Sequence, residues 1–143
     1  MLPMQDERRE FFKKELVEEL RRVEKMVREA PSAPKKLYYL SAAHGVTNRT
    51  FRYSFSKDVL ITDLLLTGVF NMLNERIMAI GSGDQNVIPD PLIFEKICDG
   101  LRDLANCFEK NESILEPIEN IVTIGYSVTG PGNYLKEKGL LKI

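Results

Sequence analysis

Apolar residues recur at helical spacing over most of this chain. Between Met4 and Ala30 there is no glycine or proline, and the apolar residues return every three or four positions, which places them on one face of a helix. The same spacing predicts three further long segments and a short terminal one. We therefore predict helices over about 4–30, 56–80, 90–110 and 113–128, and a short helix over about 133–141.

Residues that begin or end helices fall near the edges of these segments. Ser56 has a side-chain oxygen that can accept a hydrogen bond from a free amide of the following turn. Ser113 and Glu116 have the spacing of a capping box. The run Gly130–Gly132 is predicted to break the chain before a last helix that Asn133 caps.

The segment Ile121–Val128 permits two interpretations. Its β-branched residues favour a strand. A lone strand has no obvious partner elsewhere in the chain, however, and Ile114, Ile118 and Ile121 share one helical face. We therefore predict a helix here.

The stretch after the first helix departs from the helical pattern. Pro31 and Pro34 end that helix, because proline cannot donate to the helical ladder and disfavours helical geometry in the preceding residue. We expect a short helix over Leu37–Ala43 that Gly45 closes, followed by an extended segment over Arg49–Phe55. The sequence thus predicts a long connection between the first and second helices.

Four long apolar segments joined in this way predict an all-α, antiparallel four-helix bundle. We treat residues 1–143 as a single domain, because this length is typical of one. The apolar stripe of the first helix repeats nearly every seven residues, so it can face its own bundle or a second copy, as in a coiled coil. We therefore expect a homo-oligomer that forms through helix stripes.

Composition indicates an ordinary globular chain. Hydrophobic residues make up 43%, charged residues 29%, and the net charge is −1, so neither disorder nor a nucleic-acid partner is expected. The amino terminus lacks the order of a signal peptide, which favours a cytoplasmic location. The most apolar stretch, Val59–Phe70, contains Asp63 and is shorter than the roughly 20 residues that span a membrane.

Cys98 and Cys107 lack a metal-binding spacing and are expected to be reduced core residues.

Charge is unevenly distributed along the chain. Residues 31–57 contain five Lys or Arg and no acid, whereas residues 58–130 contain twelve acids and four bases. Bases interleaved with aromatic residues can hold a phosphate and stack a nucleobase. Alternatively, the aromatic residues cover one end of the bundle and the cations pair with acidic helices, which we favour. The bases of this basic stretch are Lys35, Lys36, Arg49, Arg52 and Lys57.

Four residues are candidates for ligand binding. His44 is the only histidine, so chemistry that requires two imidazoles, such as a di-iron bundle site, is not expected within one chain. His44 itself can act as a general base or phosphate ligand, although a histidine more commonly bonds to backbone carbonyls. Asp63 lies in an apolar run, and a buried carboxylate is costly unless it is paired. We expect Arg49, Arg52 or Arg76 to pair with it. The candidate ligand-binding set is His44, Arg49, Arg52 and Asp63.

Two further features allow a ligand site, but we favour a structural interpretation of each. Five acids could hold a divalent cation if their faces converged, yet their spacing is also typical of a solvated surface, and we predict no metal site. The Gly81–Asp84 run offers free amides, but it lacks the Lys-Ser/Thr of a phosphate loop and is interpreted as a helix stop. The acids are Asp58, Asp63, Glu95, Asp99 and Asp103.

The long charged first helix, the proline-interrupted stretch, and the later helices over Ser56–Ile80 and Asp90–Glu109 resemble small uncharacterised archaeal four-helix bundles related in fold to cobalamin adenosyltransferases. The resemblance implies a trimer that binds ATP and a corrinoid between subunits. That family binds ATP with a Gly-rich amino-terminal loop containing Thr-Arg and Gly-Asp. This chain begins with a helix instead, and only Gly83-Asp84 is similar, at a different place. Arg49 and Arg52 could replace some phosphate contacts.

A second resemblance starts from Glu15-x-x-Glu18-Glu19, which is similar to half of the magnesium site of all-helical nucleoside triphosphate pyrophosphatases. Carboxylates at this spacing share a helix face and can hold a cation against phosphates. The second half, Glu-x-x-Asp on a later helix, is absent, and a solvated face also explains the glutamates. The interpretation that asks least of the sequence is an oligomeric assembly module with no reaction specified, and the two enzyme classes are the alternatives.

Overall fold

The structure, a computed structural model, describes residues 2–53, 56–81 and 91–141, and these residues are all-α. The all-α prediction is therefore confirmed, as is the helix predicted over 121–128, which continues to Ser127. No helix within the described ranges is both long and apolar enough to cross a membrane. The helices are α1 Leu2–Glu29, α2 Ala33–Tyr53, α3 Lys57–Gly81, α4 Pro91–Lys110, α5 Leu115–Ser127 and α6 Gly130–Glu137.

Five of these helices pack in a ring around the core. Helix α1 contacts α2 and α4, α3 contacts α2 and α5, and α4 contacts α5, while α6 packs on α5. Each helix contributes its apolar face to the interior, because burying apolar surface is the main favourable term in folding. The largest fully buried side chains are Leu16, Leu20, Leu73, Ile97, Leu101, Leu104 and Ile121.

The apolar stripe of α1 is used inside the chain. Its residues Leu16, Leu20, Val23 and Val27 are each at most 3% exposed. They pack where α1 contacts α2 and α4. The stripe is therefore not free to form a seam with a second copy, and self-association needs another surface.

The prediction of a long connection between the helices over 4–30 and 56–80 is wrong, because residues Ala33–Tyr53 form helix α2. Gly45 continues this helix, and the predicted extended segment is helical as far as Tyr53, while Ser54 and Phe55 lie outside the described residues. Among the side chains of α2 that the structure describes, the buried ones in its second half are small or polar, so apolar spacing did not reveal this face. The buried ones in the whole helix are Leu37, Leu40, Ala43, Thr47 and Thr50.

Ser32 and Lys36 fix the turn from α1 into α2. The Ser32 hydroxyl accepts a hydrogen bond from the Lys35 amide at 3.3 Å. Pro34 lies in the first turn, where its missing N–H costs no helical hydrogen bond. The Lys36 ammonium donates to the carbonyls of Val27 and Arg28 at 2.8 and 3.0 Å, which satisfies two acceptors at the end of α1.

Helix α5 begins one residue later than the capping box predicted. Ile114 occupies the N-cap position and makes no side-chain capping bond. The Ser113 hydroxyl instead accepts a hydrogen bond from the Leu115 amide at 3.3 Å. Ile114 is buried, so burial of an apolar side chain sets this helix start where the sequence indicated a polar cap.

The last helix, α6, begins earlier than predicted and ends earlier. It covers Gly130–Glu137, because Thr129 caps it by accepting a hydrogen bond from the Gly132 amide at 3.0 Å. Pro131 lies in the first turn, as proline can, so the Gly-Pro-Gly run starts this helix. Asn133 is therefore inside the helix and does not cap it.

The two cysteines are both free, and they differ in exposure. Cys98 on α4 is fully buried, and desolvation raises the pKa of its thiol to about 11. Cys107 on the same helix is half-buried, and burial raises the pKa of its thiol as well, with nearby acids adding to the effect. Both thiols therefore keep their protons at neutral pH.

Replacing Gly100 in α4 by alanine is expected to destabilise the fold. A Cβ at this position would lie 2.3 Å from Cγ1 of Ile121, a buried and β-branched side chain that cannot easily turn away. We expect a loss of about 1–3 kcal/mol in the free energy of unfolding, measured by urea denaturation. Gly68→Ala in α3 is the matched control, because nothing lies within 4 Å of its Cβ position. That variant should gain about 0.5–1 kcal/mol, and equal urea midpoints for the two variants would contradict the packing.

Stability is expected to fall as the pH rises from about 9 to about 11, the ordinary and the folded pKa of the Cys98 thiol. Between these values the unfolded thiol ionises while the folded thiol keeps its proton, so alkaline pH favours the unfolded chain. The loss is at most about 2–3 kcal/mol. Urea denaturation across this pH range checks it: Cys98→Ala should flatten the decline, whereas Cys107→Ala should preserve most of it.

Candidate ligand site between α2 and α3

His44 and Asp63 meet where α2 packs against α3. The His44 Nδ1 atom lies 2.8 Å from the Asp63 Oδ1 atom. His44 is near the middle of α2, and Asp63 is in the second turn of α3. Two of the four residues predicted as ligand-binding are therefore in direct contact.

Asp63 is buried, and its carboxylate needs hydrogen-bond donors. The residue is only 7% exposed, and the hydroxyl oxygen of the fully buried Thr47 lies 2.8 Å from Oδ1. The Thr47 oxygen is also 3.2 and 3.0 Å from the carbonyls of Ala43 and His44. A hydroxyl has a single proton, and the charged carboxylate is its nearest and strongest acceptor, so Thr47 donates to Asp63.

Thr67 completes the cluster one turn after Asp63. Its hydroxyl oxygen lies 2.7 Å from the backbone carbonyl oxygen of Asp63 and 2.7 Å from His44 Nδ1. Donors and acceptors balance when Thr67 donates to the carbonyl and His44 Nδ1 carries a proton shared between Asp63 and Thr67. In that tautomer the free lone pair of the imidazole is on Nε2.

This arrangement prepares His44 for proton transfer or ligand binding. A carboxylate that accepts from Nδ1 orients the imidazole and fixes its tautomer. The His44 side chain is 41% exposed, so a ligand can reach it. Within the described part of the chain, the polar contacts of the ring go through Nδ1, which leaves Nε2 for a ligand.

The prediction that an arginine pairs with Asp63 is wrong. Among the described residues the ion-pair partner of Asp63 is His44, and Arg49, Arg52 and Arg76 form no ion pair with it. Arg52 follows His44 by eight residues, which places the two about 80° apart around α2, on one side of the helix. Arg49 follows by five residues and lies about 140° away.

Part of the basic stretch is engaged within the chain. The Lys35 ammonium lies 5.2 and 5.6 Å from the ring centroids of Tyr38 and Tyr39, within the range of cation–π attraction. Lys36 binds carbonyls at the end of α1. Arg49 and Arg52 are exposed and form no ion pair with an acid among the described residues. The available cations of α2 are therefore in its second half.

Asp99 and Asp103 on α4 pair with arginines. Asp99 Oδ1 lies 2.7 Å from Arg28 and 3.5 Å from Arg102, and Asp103 lies 3.3 Å from Arg102. The hydrogen bond from Arg28 to Asp99, followed by one to Glu24, raises the pKa of the guanidinium further. Within the residues that the structure describes, no three acid, cysteine or histidine side chains come close enough to hold a metal ion.

Two other sequence features have different outcomes. Glu19, from the pyrophosphatase-like run on α1, forms an ion pair with Arg22 at the surface. Of the Gly81–Asp84 run, Gly81 is the last residue of α3, and the other three residues lie outside the described residues.

A pocket of about 490 Å³ opens elsewhere, where α1 and α4 approach the start of α3. Its floor is apolar, and its rim carries both lysines and acids, so its charges favour no single ligand class. Neither His44 nor Asp63 lines it. The cluster between α2 and α3 therefore remains the candidate site.

Sequence reasoning missed Thr47 and Thr67. Thr47 follows His44 by three residues and Thr67 follows Asp63 by four, spacings that place each pair on one helix face. The second spacing was visible within a predicted helix. The first was hidden, because residues 44–53 were not predicted to be helical.

Comparisons with models of known families, with curated proteins and with solved structures find no match for this chain.

Replacing Thr47 by valine should destabilise the protein by about 1–3 kcal/mol, because it removes a donor to a buried carboxylate while keeping the side-chain shape. Urea denaturation measures the loss. Thr47→Ser keeps the hydroxyl and serves as the control, which should retain most of the stability. A valine variant as stable as the serine variant would show that Thr47 does not stabilise the carboxylate.

Proposed function

We propose that this protein binds a small oxyanion-bearing ligand, such as a phosphate ester, at His44, where α2 packs against α3, and that His44 exchanges a proton with it. The observation that carries this proposal is the 2.8 Å contact between His44 Nδ1 and the buried Asp63 carboxylate. Acid–base groups oriented by a buried carboxylate are typical of binding and catalytic sites.

The charge of α2 supports an anionic ligand. The basic stretch contains no acid, and Arg52 lies on the same side of α2 as His44. When His44 is protonated, the His–Asp pair is neutral overall, and the Nε2–H group can donate to an oxyanion. Arg52 then adds a charged donor that can bind phosphate in a bidentate manner. Asn48, one turn after His44, adds an amide to the same side.

The chemistry at Nε2 is proton transfer. With Nδ1–H held by Asp63, a neutral His44 can accept a proton at Nε2 from a water or a hydroxyl group of the ligand, and the ring keeps its hydrogen bond to the Asp63 carboxylate. The charged ring can then return the proton to a leaving group. Thr47 and Thr67 position the pair and do not take part in the transfer.

The two enzyme families that the sequence resembles supply the first ligands to test. The resemblance to cobalamin adenosyltransferases suggests ATP and a corrinoid as ligands. The resemblance to nucleoside triphosphate pyrophosphatases suggests nucleotides with magnesium. ATP and the other nucleotides belong to the oxyanion class that His44 and Arg52 favour. A ligand panel should therefore contain inorganic phosphate, nucleoside triphosphates with and without magnesium, and a corrinoid.

Nitrogen-15 NMR of the imidazole should show His44 protonated at Nδ1 in the free protein, and an oxyanion ligand should shift the Nε2 resonance. In thermal denaturation, a ligand at 100 times its Kd adds about 2.7 kcal/mol of stability. His44→Gln should abolish this gain, and Arg52→Gln should weaken it. Arg49→Gln is the matched control, since Arg49 lies on another side of α2, and it should bind normally.

Two results would refute the ligand proposal. One is the absence of any response to every member of the panel. The other is a ligand response that His44→Gln leaves intact, since binding would then occur elsewhere.

We propose in addition that the chain forms a homo-oligomer, with a trimer as the number that the adenosyltransferase resemblance suggests. Two aliphatic side chains on α3, Ile61 and Leu64, are 45% and 62% exposed although the α1 stripe is buried. Exposed apolar surface of this kind favours self-association. Sedimentation velocity measures the number of copies.

A further inference from the structure

We infer that the outer face of α3 is the surface on which a second copy of this chain packs, with α2 of one copy lying beside α5 of the other. The inference rests on the self-association proposed above and adds the surface and the orientation to it. It does not depend on the proposed ligand.

The outer face of α3 lies between two contact sides. Asp63 and Thr67 meet α2, whereas Val69 and Met72 approach α5, where a Cβ built on Gly125 would lie 3.0 and 3.3 Å from them. At 100° per residue, Ile61 and Leu64 fall between these two sides, on the outside of the helix.

Helix α5 carries exposed apolar side chains as well. Leu115 and Tyr126 are both exposed. By their helical positions they lie about 80° and 100° around α5 from Gly125, which faces α3. Ile61 and Leu64 on α3 and Leu115 and Tyr126 on α5 are thus exposed apolar side chains. Polar residues separate them: Lys57, Asn71 and Glu75 share the outer face of α3, and Glu119 lies between the two α5 side chains.

The two helices on either side of α3 carry opposite charge. Helix α2 has no acid, and its Arg49 and Arg52 are exposed. Helix α5 has no base, and its Glu116 and Glu119 are exposed. Within the described ranges neither glutamate forms an ion pair with a base of its own chain. Each copy therefore presents both halves of a complementary pair of surfaces, one on each side of α3.

The basic helix α2 on one side of α3 and the acidic helix α5 on the other determine which direction of the rotation axis between two copies is favourable. If the rotation axis runs along α3, α2 of one copy meets α5 of the next, and opposite charges face each other. If the axis crosses α3, α2 meets α2 and α5 meets α5, so like charges face each other, which is unfavourable. An axis along α3 gives either a two-fold pair or a closed ring. The occupant is a second copy because this chain itself supplies the matching charge.

The apolar part of the interface is tested by changing Ile61 and Leu64 to aspartate together. Sedimentation velocity of the unmodified protein should show more than one copy, and the double variant should sediment as a single chain of 16.4 kDa. Circular dichroism should be unchanged, because both side chains are exposed. Leu140→Asp is the matched control: Leu140 is also exposed but follows α6, so this variant should keep the oligomer.

The orientation is tested by exchanging charges. Arg49→Glu and Glu119→Arg should each weaken the oligomer, because each brings like charges together across the interface. The two changes combined should restore it. His44→Gln should leave the sedimenting mass unchanged, which separates this inference from the ligand proposal.

Each outcome decides a stated point. A single chain for the unmodified protein overturns both the self-association and this surface. An oligomer that persists in the folded Ile61→Asp, Leu64→Asp variant overturns this surface alone and leaves self-association standing. Failure of the combined charge exchange to restore an oligomer that the single changes weaken overturns the orientation.

Discussion

The burial of one carboxylate constrains how α2 and α3 pack. Asp63 lies in an apolar helix and cannot turn to solvent without moving the side chains around it, so the neighbouring helix must supply donors. Thr47 and His44 do so from α2, and both can reach Asp63 only because that segment is helical and places them one turn apart. The packing of the two helices and the tautomer of the imidazole therefore have the same cause.

Much of the architecture could be predicted from the spacing of apolar residues. Helices α1, α3, α4 and α5 bury large aliphatic side chains every three or four positions, and this periodicity is visible in the sequence. Among the described side chains, helix α2 buries Ala43, Thr47 and Thr50 over its second half, and these are small or polar, so the apolar period is not visible there. Pro34 lies in its first turn, where proline is compatible with a helix, and Pro31 lies in the short break between α1 and α2.

Two residues of the candidate site could be predicted from the sequence, but their contact could not, because the second half of α2 was not recognised as helical. Asp63 was recognised as a buried carboxylate that must be paired, and His44 was named as a candidate ligand residue. Charge alone suggested an arginine partner, whereas the structure satisfies the carboxylate with a hydroxyl and an imidazole. Choosing between these partners requires the position of α2 against α3, which a sequence without a recognised second helix does not provide. The stripe on α1 is a similar case, because periodicity shows that a face is buried without showing what buries it.

The way α1 is covered has a consequence for synthesis of the chain. Arg28 pairs with Asp99, 71 residues later, and Lys13 bonds to Asn111, 98 residues later. Helix α2 follows α1 directly and can dock as soon as it has emerged from the ribosome, but α4 is made only after most of the chain. One apolar side of the first helix therefore stays uncovered until α4 has been made, and exposed apolar surface of this kind favours aggregation of a nascent chain.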